Sequence, residues 1–254
     1  MNNLIIGDTS QLSSYFPADF VRISSRNIDY EFIESKKWKR AYLLFAEQRT
    51  YLKESVKFYS DCNVNHTLSV LDKICPFCDE VIVFLSADLW SCYEGPVDFS
   101  MPIKYIHSGY LESKEILYNR IQEKRRTSYS NVIFVSPFNF NTPGRNENWL
   151  FGKIYQSLLQ KTKVTVDCID FCRDFVHPSI VVKKAIETTK DCLVGSGFLV
   201  NMKDFFESIF SEKGLKIDNY VYVRNLSCKN KLYYNKEKLD TYEGLIQKHL
   251  NDII

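Results

Sequence analysis

The sequence predicts an α/β protein: a doubly wound parallel sheet followed by a small C-terminal α/β lobe. Three observations lead there. Short apolar runs of strand length recur through the first half of the chain, among them NLII, FVRIS, AYLLF, VIVFLS and NVIFVS. Helical stretches separate them, and strict strand–helix alternation implies a parallel sheet covered on both faces. The 254 residues are 45% hydrophobic and 25% charged, a globular composition large enough for one main domain with a smaller lobe.

The first apolar run, Asn3 to Ile6, is followed by GDTSQLSSYF. A strand, a glycine and a turn into a helix is how a dinucleotide-binding, Rossmann-type sheet begins. Only Gly7 of the usual glycines is present, and Ser10 and Ser13 stand in the later positions. Small residues there still let Ser10, Gln11 and Leu12 approach a pyrophosphate at a helix N-terminus. An ordinary strand-to-helix turn would explain the same residues. After the second strand an NAD site normally places a carboxylate on the ribose. Here Ser24, Ser25 and Arg26 follow instead, and hydroxyls with a guanidinium suit the 2′-phosphate of NADP. Arg26 as a plain exposed loop residue is the competing explanation.

A polar helical stretch is expected from Ile28 to Arg40, then a buried strand from Ala41 to Arg49 that brings Ala46 to its end. Tyr59 to Ile74 reads as largely helical. The run Val81 to Leu85 delivers Ser86, and Tyr110 and Lys114 stand four apart at the head of the next helix. That spacing puts phenol and ammonium on one helical face. The ammonium is expected to lower the tyrosine pKa, making it a proton donor and acceptor near neutrality, with the serine orienting the same substrate oxygen. The spacing alone is common, and Tyr234 with Lys238 repeats it, read as a solvated helix surface. QEKRR, residues 122–126, reads as a solvated helix end. A further strand ends near Ser136 and leads to Asn139. Gly7, Ala46, Ser86 and Asn139 thus all fall at strand C-terminal ends, where a parallel sheet of this type binds its ligand.

Beyond residue 138 the expected elements are a helix from Trp149 to Leu159, strands in the segment 163–178, and a helix from Ser179 to Thr189. A short strand, a Gly-rich turn and a helix capped near Asn201 follow, then a last strand and helix. The expected division is residues 1–138 for the dinucleotide, with 173–190 packing back on it, and residues 139–254 for the substrate.

Net charge of +2 gives no global field for nucleic acid. No stretch approaches the 18 or so apolar residues of a membrane span, and the N-terminus lacks the features of a signal peptide, so the cytoplasm is expected. Cys75-Pro-Phe-Cys78 has dithiol spacing but follows a helix rather than opening one, so eight scattered, reduced cysteines are expected and no metal set.

Taken together, GDTSQLS, FAEQ, NVNHT, SADLW, SGYLESK, SPFNFNTPGR and RDFVH resemble, in order, the extended short-chain dehydrogenase/reductase family, the branch that modifies nucleotide sugars. The resemblance covers most of residues 3–204. It implies that Ser86 hydrogen-bonds the reacting sugar oxygen, that Tyr110 is the acid/base, and that Lys114 holds the nicotinamide ribose. It implies that Asn139 contacts substrate phosphates, that Arg173 pairs with the nucleotide diphosphate, and that the protein is a homodimer. The chain departs from the family in its single turn glycine, in Ser136 where an arginine is usual, in Asn141-Thr142 where Tyr-Gly is usual before Pro143-Gly144, and in its length, with the shortfall expected in the C-terminal lobe. The expected activity is an NADP-dependent reductase of a 4-keto nucleotide sugar, serving surface polysaccharide precursors. An NAD-dependent epimerase and a non-catalytic dinucleotide-binding module are the alternatives.

Overall fold

A computed structural model describes residues 2–142, 145–225, 232–239 and 241–253. Pro143 and Gly144 of the expected turn lie outside the described residues. In chain order the elements of the first part are β1 (Asn2–Ile6), β2 (Val21–Ile23), α1 (Tyr30–Glu34), β3 (Trp38–Leu43), α2 (Val56–Ser60), α3 (Thr67–Ile74), β4 (Cys78–Phe84), β5 (Gly95–Val97), α4 (Gly109–Lys124) and β6 (Val132–Pro137). Then come α5 (Leu150–Gln160), β7 (Val164–Val166), β8 (Cys172–Asp174), α6 (Pro178–Glu187), β9 (Cys192–Val194), β10 (Leu199–Asn201), α7 (Met202–Glu212), β11 (Val221–Val223), β12 (Tyr233–Asn235) and α8 (Tyr242–Ile253).

The central sheet runs β2-β1-β3-β4-β6-β9, with every pairing parallel. This is the expected doubly wound, Rossmann-type arrangement. The strand order reverses between β1 and β3, which opens a crevice at the C-terminal ends of those strands. The register makes that rim flush: Ile6 pairs with both Ile23 and Leu43, Leu43 with Val83, and Val83 with Phe134. The strands are buried on both faces, so they read as continuous apolar runs rather than alternating ones.

The two-nucleotide-half version of this fold has a further strand outside the second one. Here, among the described residues, β2 is the edge. The helix expected after Gly7 is also missing: Ser13–Tyr15 forms only a single 3₁₀ turn. Arg22 on β2 holds this turn in its place. Its guanidinium donates to the carbonyls of Ser13, Phe16, Pro17, Ala18 and Phe20 at 2.9–3.3 Å. These are groups that a helix would have satisfied internally.

Other expectations shift by a few residues. The helix expected from Ile28 to Arg40 is five residues long, because Trp38 and Arg40 already belong to β3. Arg40 is buried and paired with Glu80. β3 ends at Leu43, so Ala46 sits in the loop beyond it. The helix expected from Tyr59 to Ile74 is continuous from Val56, with a π-helical turn over Asp61–His66. Tyr234 lies on β12, not on a helix, which removes the second Tyr–Lys pair as a helical motif. Cys75 and Cys78 are buried, and burial pushes both thiols up to about 12, so the dithiol reading falls. Cys168 is disulfide-bonded, contrary to the expectation of reduced cysteines throughout; Cys62, Cys75, Cys78, Cys172 and Cys192 are free thiols.

Two apolar cores result. The larger covers both faces of the main sheet and takes in Val181, Val182 and Ala185 of α6. The smaller packs α5, α7 and α8 around Phe175, with Phe205, Phe206 and Phe210. The RDFVH segment links them. Asp174, fully buried, accepts from the Ser196 hydroxyl and from the backbone N–H groups of Ser196, Gly197 and Asn235 at 2.7–3.1 Å.

The charged stretch 122–126 is not simply solvated. Arg125 forms a two-pronged pair with Asp191, 2.7 and 2.6 Å, and Asp191 also accepts from the Phe134 backbone N–H at 2.8 Å. Truncating Asp191 leaves a guanidinium and an amide without their acceptor. Asp191→Ala is expected to lower unfolding free energy by roughly 2–4 kcal/mol in urea titration; a loss below about 1 kcal/mol would mean solvent screens the pair.

Candidate active site

A cleft of about 800 Å³ crosses the C-terminal rim of β1, β3, β4 and β6. Gly7, Ser10, Gln11 and Leu12 line one end, with Arg26 and Ala46 beside them. Ser86, Tyr110, Lys114 and Asn139 line the other. Two expected site residues are not among its lining. Ser24 points its hydroxyl at the Arg26 backbone N–H, 3.3 Å away. Arg173, on β8, packs its guanidinium over the Phe171 ring and donates to the Cys172 carbonyl.

The turn after β1 offers few donors. Gly7 and Asp8 both donate to the Ile23 carbonyl, Thr9 to the Asp8 carboxylate, Ser10 to the Gly7 carbonyl and Ser13 to the Ser10 carbonyl. Among the described residues only the amides of Gln11, Leu12 and Ser14 in this turn lack a protein acceptor. Gly7 itself is required by its left-handed backbone, φ +110, and by the chain leaving β3: a Cβ there would lie 3.1 Å from Leu44 C and Phe45 N. Arg26 is exposed and has no carboxylate partner among the described residues.

Asn63, in the π-helical turn, ties the walls together. Its side chain accepts from Glu47 N–H at 2.7 Å and donates to the Glu47 carbonyl and to the Ser113 hydroxyl at 3.1 and 3.0 Å. π-turns often occur at functional sites. This one fixes the exit of β3 against α4.

Ser108 caps α4, accepting from Leu111 N–H, and so sets the first turn that carries Tyr110. Ser86 likewise accepts from Asp88 N–H at 3.2 Å. Lys114 is 3% exposed and donates from Nζ to the Phe84 carbonyl at 3.1 Å. Burial holds its ammonium down at about 8. Its Nζ lies 5.9 Å from the centre of the Tyr110 ring.

The electrostatics of Tyr110 differ from the expectation. Burial raises its pKa, and the Asp88 carboxylate raises it further; the Ser86 hydroxyl and the Arg145 guanidinium oppose them. The net direction is upward, so the phenol holds its proton. Lys114 is not what tunes it. The neighbouring cation that acts on the phenol is Arg145, and the neighbouring anion is Asp88. Sequence reasoning singled out neither. Asp88 was visible two residues after Ser86, and Arg145 closes the quoted SPFNFNTPGR segment, but no spacing marks either as facing Tyr110. Tyr233 was also missed. It arrives on β12, which pairs with β5, and donates its hydroxyl to Asp88.

Neither a protein-family model nor a curated protein matches the sequence. Solved structures do match in fold. A UDP-glucuronic acid 4-epimerase from Bacillus cereus, in complex with UDP-glucuronic acid and NAD, superposes with TM-score 0.79 at 13% identity, over 100% of this chain and 99% of that one. DesIV, a dTDP-glucose 4,6-dehydratase from Streptomyces venezuelae with NAD and TYD bound, gives 0.78 at 14% identity, over 99% and 96%. RMD from Pseudomonas aeruginosa, complexed with NADPH, gives 0.77 at 13%, over 99% of both. The fold is theirs. No described helix is long and apolar enough to cross a membrane.

Proposed function

We propose that the chain is an NADP(H)-dependent oxidoreductase that reduces a 4-keto nucleotide sugar, with NAD as the alternative cofactor. The observation that carries this reading is that Ser86, Tyr110 and Lys114 line the same cleft as Arg26, Gln11 and Leu12. The residues fit an elongated dinucleotide: Arg26 would meet a 2′-phosphate, the Gln11 and Leu12 amides a phosphate oxygen, and Lys114 the nicotinamide ribose. The bound cofactor supplies the hydride. Tyr110 donates its phenolic proton to the carbonyl oxygen as that oxygen becomes an alcohol, and regains a proton from solvent afterwards. Ser86 orients the oxygen by hydrogen bonding.

An NAD-dependent nucleotide-sugar epimerase using the same three residues is the alternative activity. The reading also carries a homodimer and a role in polysaccharide precursor synthesis in the cytoplasm. A second reading, a module that binds nucleotide without turnover, is favoured by the depleted turn after β1.

The cofactor assignment is tested at Arg26. Arg26→Ala is expected to weaken NADPH binding by roughly 10- to 100-fold and NADH binding by less than about twofold. Equal losses for both would remove the preference for NADP.

A further inference from the structure

Arg145 lines the cleft with no carboxylate beside it. Its guanidinium donates to the Gln11 side-chain oxygen and to the Phe140 carbonyl, both at 3.3 Å, and stacks 4.4 Å from the centre of the Trp149 ring. None of the described residues forms an ion pair with it. The cleft's two carboxylates are both engaged elsewhere, Glu47 by Arg49 and Asp88 by Tyr233. A partly buried guanidinium without a counter-ion is costly to keep, and an arriving anion relieves that cost. The stack on Trp149 leaves the planar fork pre-oriented for two-pronged binding. Its backbone is held close to α5 by Gly152, where a Cβ would lie 2.6 Å from the Arg145 carbonyl oxygen. Gln11 joins this cation to the turn after β1, which forms no helix; the Gln11 and Leu12 amides donate to no protein acceptor among the described residues, and both residues line the cleft.

We propose that Arg145, together with the backbone amides of Gln11 and Leu12, is the diphosphate-binding site of this chain, doing the work of the helix N-terminus that the turn after β1 does not form. The inference rests on reading the cleft as a nucleotide site. The diphosphate belongs either to the dinucleotide or to the sugar nucleotide; both present the same pair of charged groups.

Calorimetric titrations with inorganic pyrophosphate, NADPH and UDP test it on wild type, Arg145→Met and Arg145→Lys. Trp149 fluorescence reports the location, since Trp38 and Trp90 are fully buried. Arg145→Met is expected to weaken pyrophosphate and at least one nucleotide by about 10- to 100-fold with the melting temperature unchanged. Arg145→Lys, which keeps the charge and loses the fork, is expected to recover part of that loss, and it carries the test if the methionine variant fails to fold. Loss confined to NADPH assigns the site to the dinucleotide; loss confined to UDP assigns it to the substrate. Binding by folded variants within about twofold of wild type, or no binding of any probe by wild type, overturns the proposal. Wild type that binds pyrophosphate and UDP through Arg145 but not NADPH leaves the site standing and ends the dinucleotide reading; wild type that binds NADPH while neither pyrophosphate, UDP nor NADPH depends on Arg145 does the reverse.

Discussion

Tyr110→Phe is expected to lower turnover of a 4-keto nucleotide sugar by about a thousandfold or more while leaving NADPH affinity within about twofold. The substitution removes one oxygen and keeps the ring, which packs edge-on against Tyr59 at 5.9 Å. The wall of the cleft therefore survives. What disappears is the proton that burial and Asp88 keep on the phenol. Stability should hold or rise slightly, since a buried hydroxyl is lost. Steady-state kinetics beside a cofactor titration separates the two effects. A variant with near-normal turnover would mean that the proton comes from another group, and Asp88 with Tyr233 would be the pair to examine next.

Lys114→Met is expected to abolish turnover and to change how stability depends on pH. The ammonium is buried and its pKa falls from 10.5 to about 8. The folded state therefore gives up this proton before the unfolded state does. Between these two values the unfolded chain binds more protons, so this group makes the fold more stable as pH rises through the window. Relative to the methionine variant, wild type should gain about 3 kcal/mol between pH values below 8 and above 10.5. Urea unfolding of both proteins across that range measures the difference directly, because the other titrating groups cancel. Parallel curves would show that Lys114 is solvated in the free protein. The Phe84 carbonyl holds this buried ammonium at the end of β4, where under the proposed function it would meet the nicotinamide ribose.

The sheet was legible because its strands are buried on both faces and so stand out as apolar runs between helices. The register then follows from parallel pairing, and it places Gly7, Ala46, Ser86 and Asn139 on one rim as expected. The turn after β1 was not legible. Its sequence has the serines of a helix start, but Arg22, nine residues beyond Ser13, satisfies the carbonyls and stabilises a loop instead. No local pattern announces that. Nor does sequence spacing reveal the charges on Tyr110. Lys114 shares its helical face, yet its Nζ turns to the Phe84 carbonyl, while Arg145 and Asp88 reach the phenol from other elements. Side chains that meet through tertiary packing carry no periodic signature. Arg173, expected on the nucleotide diphosphate from its place in a familiar segment, is not among the cleft's lining; its guanidinium packs over Phe171.

The most direct test of the central claim is a titration of the purified protein with NADPH, followed by the fluorescence of the reduced nicotinamide. A cleft that seats the coenzyme against Tyr110 and Lys114 predicts saturable enhancement, which then decays as a 4-keto nucleotide sugar is added and the nicotinamide is oxidised. No saturable signal with NADPH or NADH would contradict the account at its root.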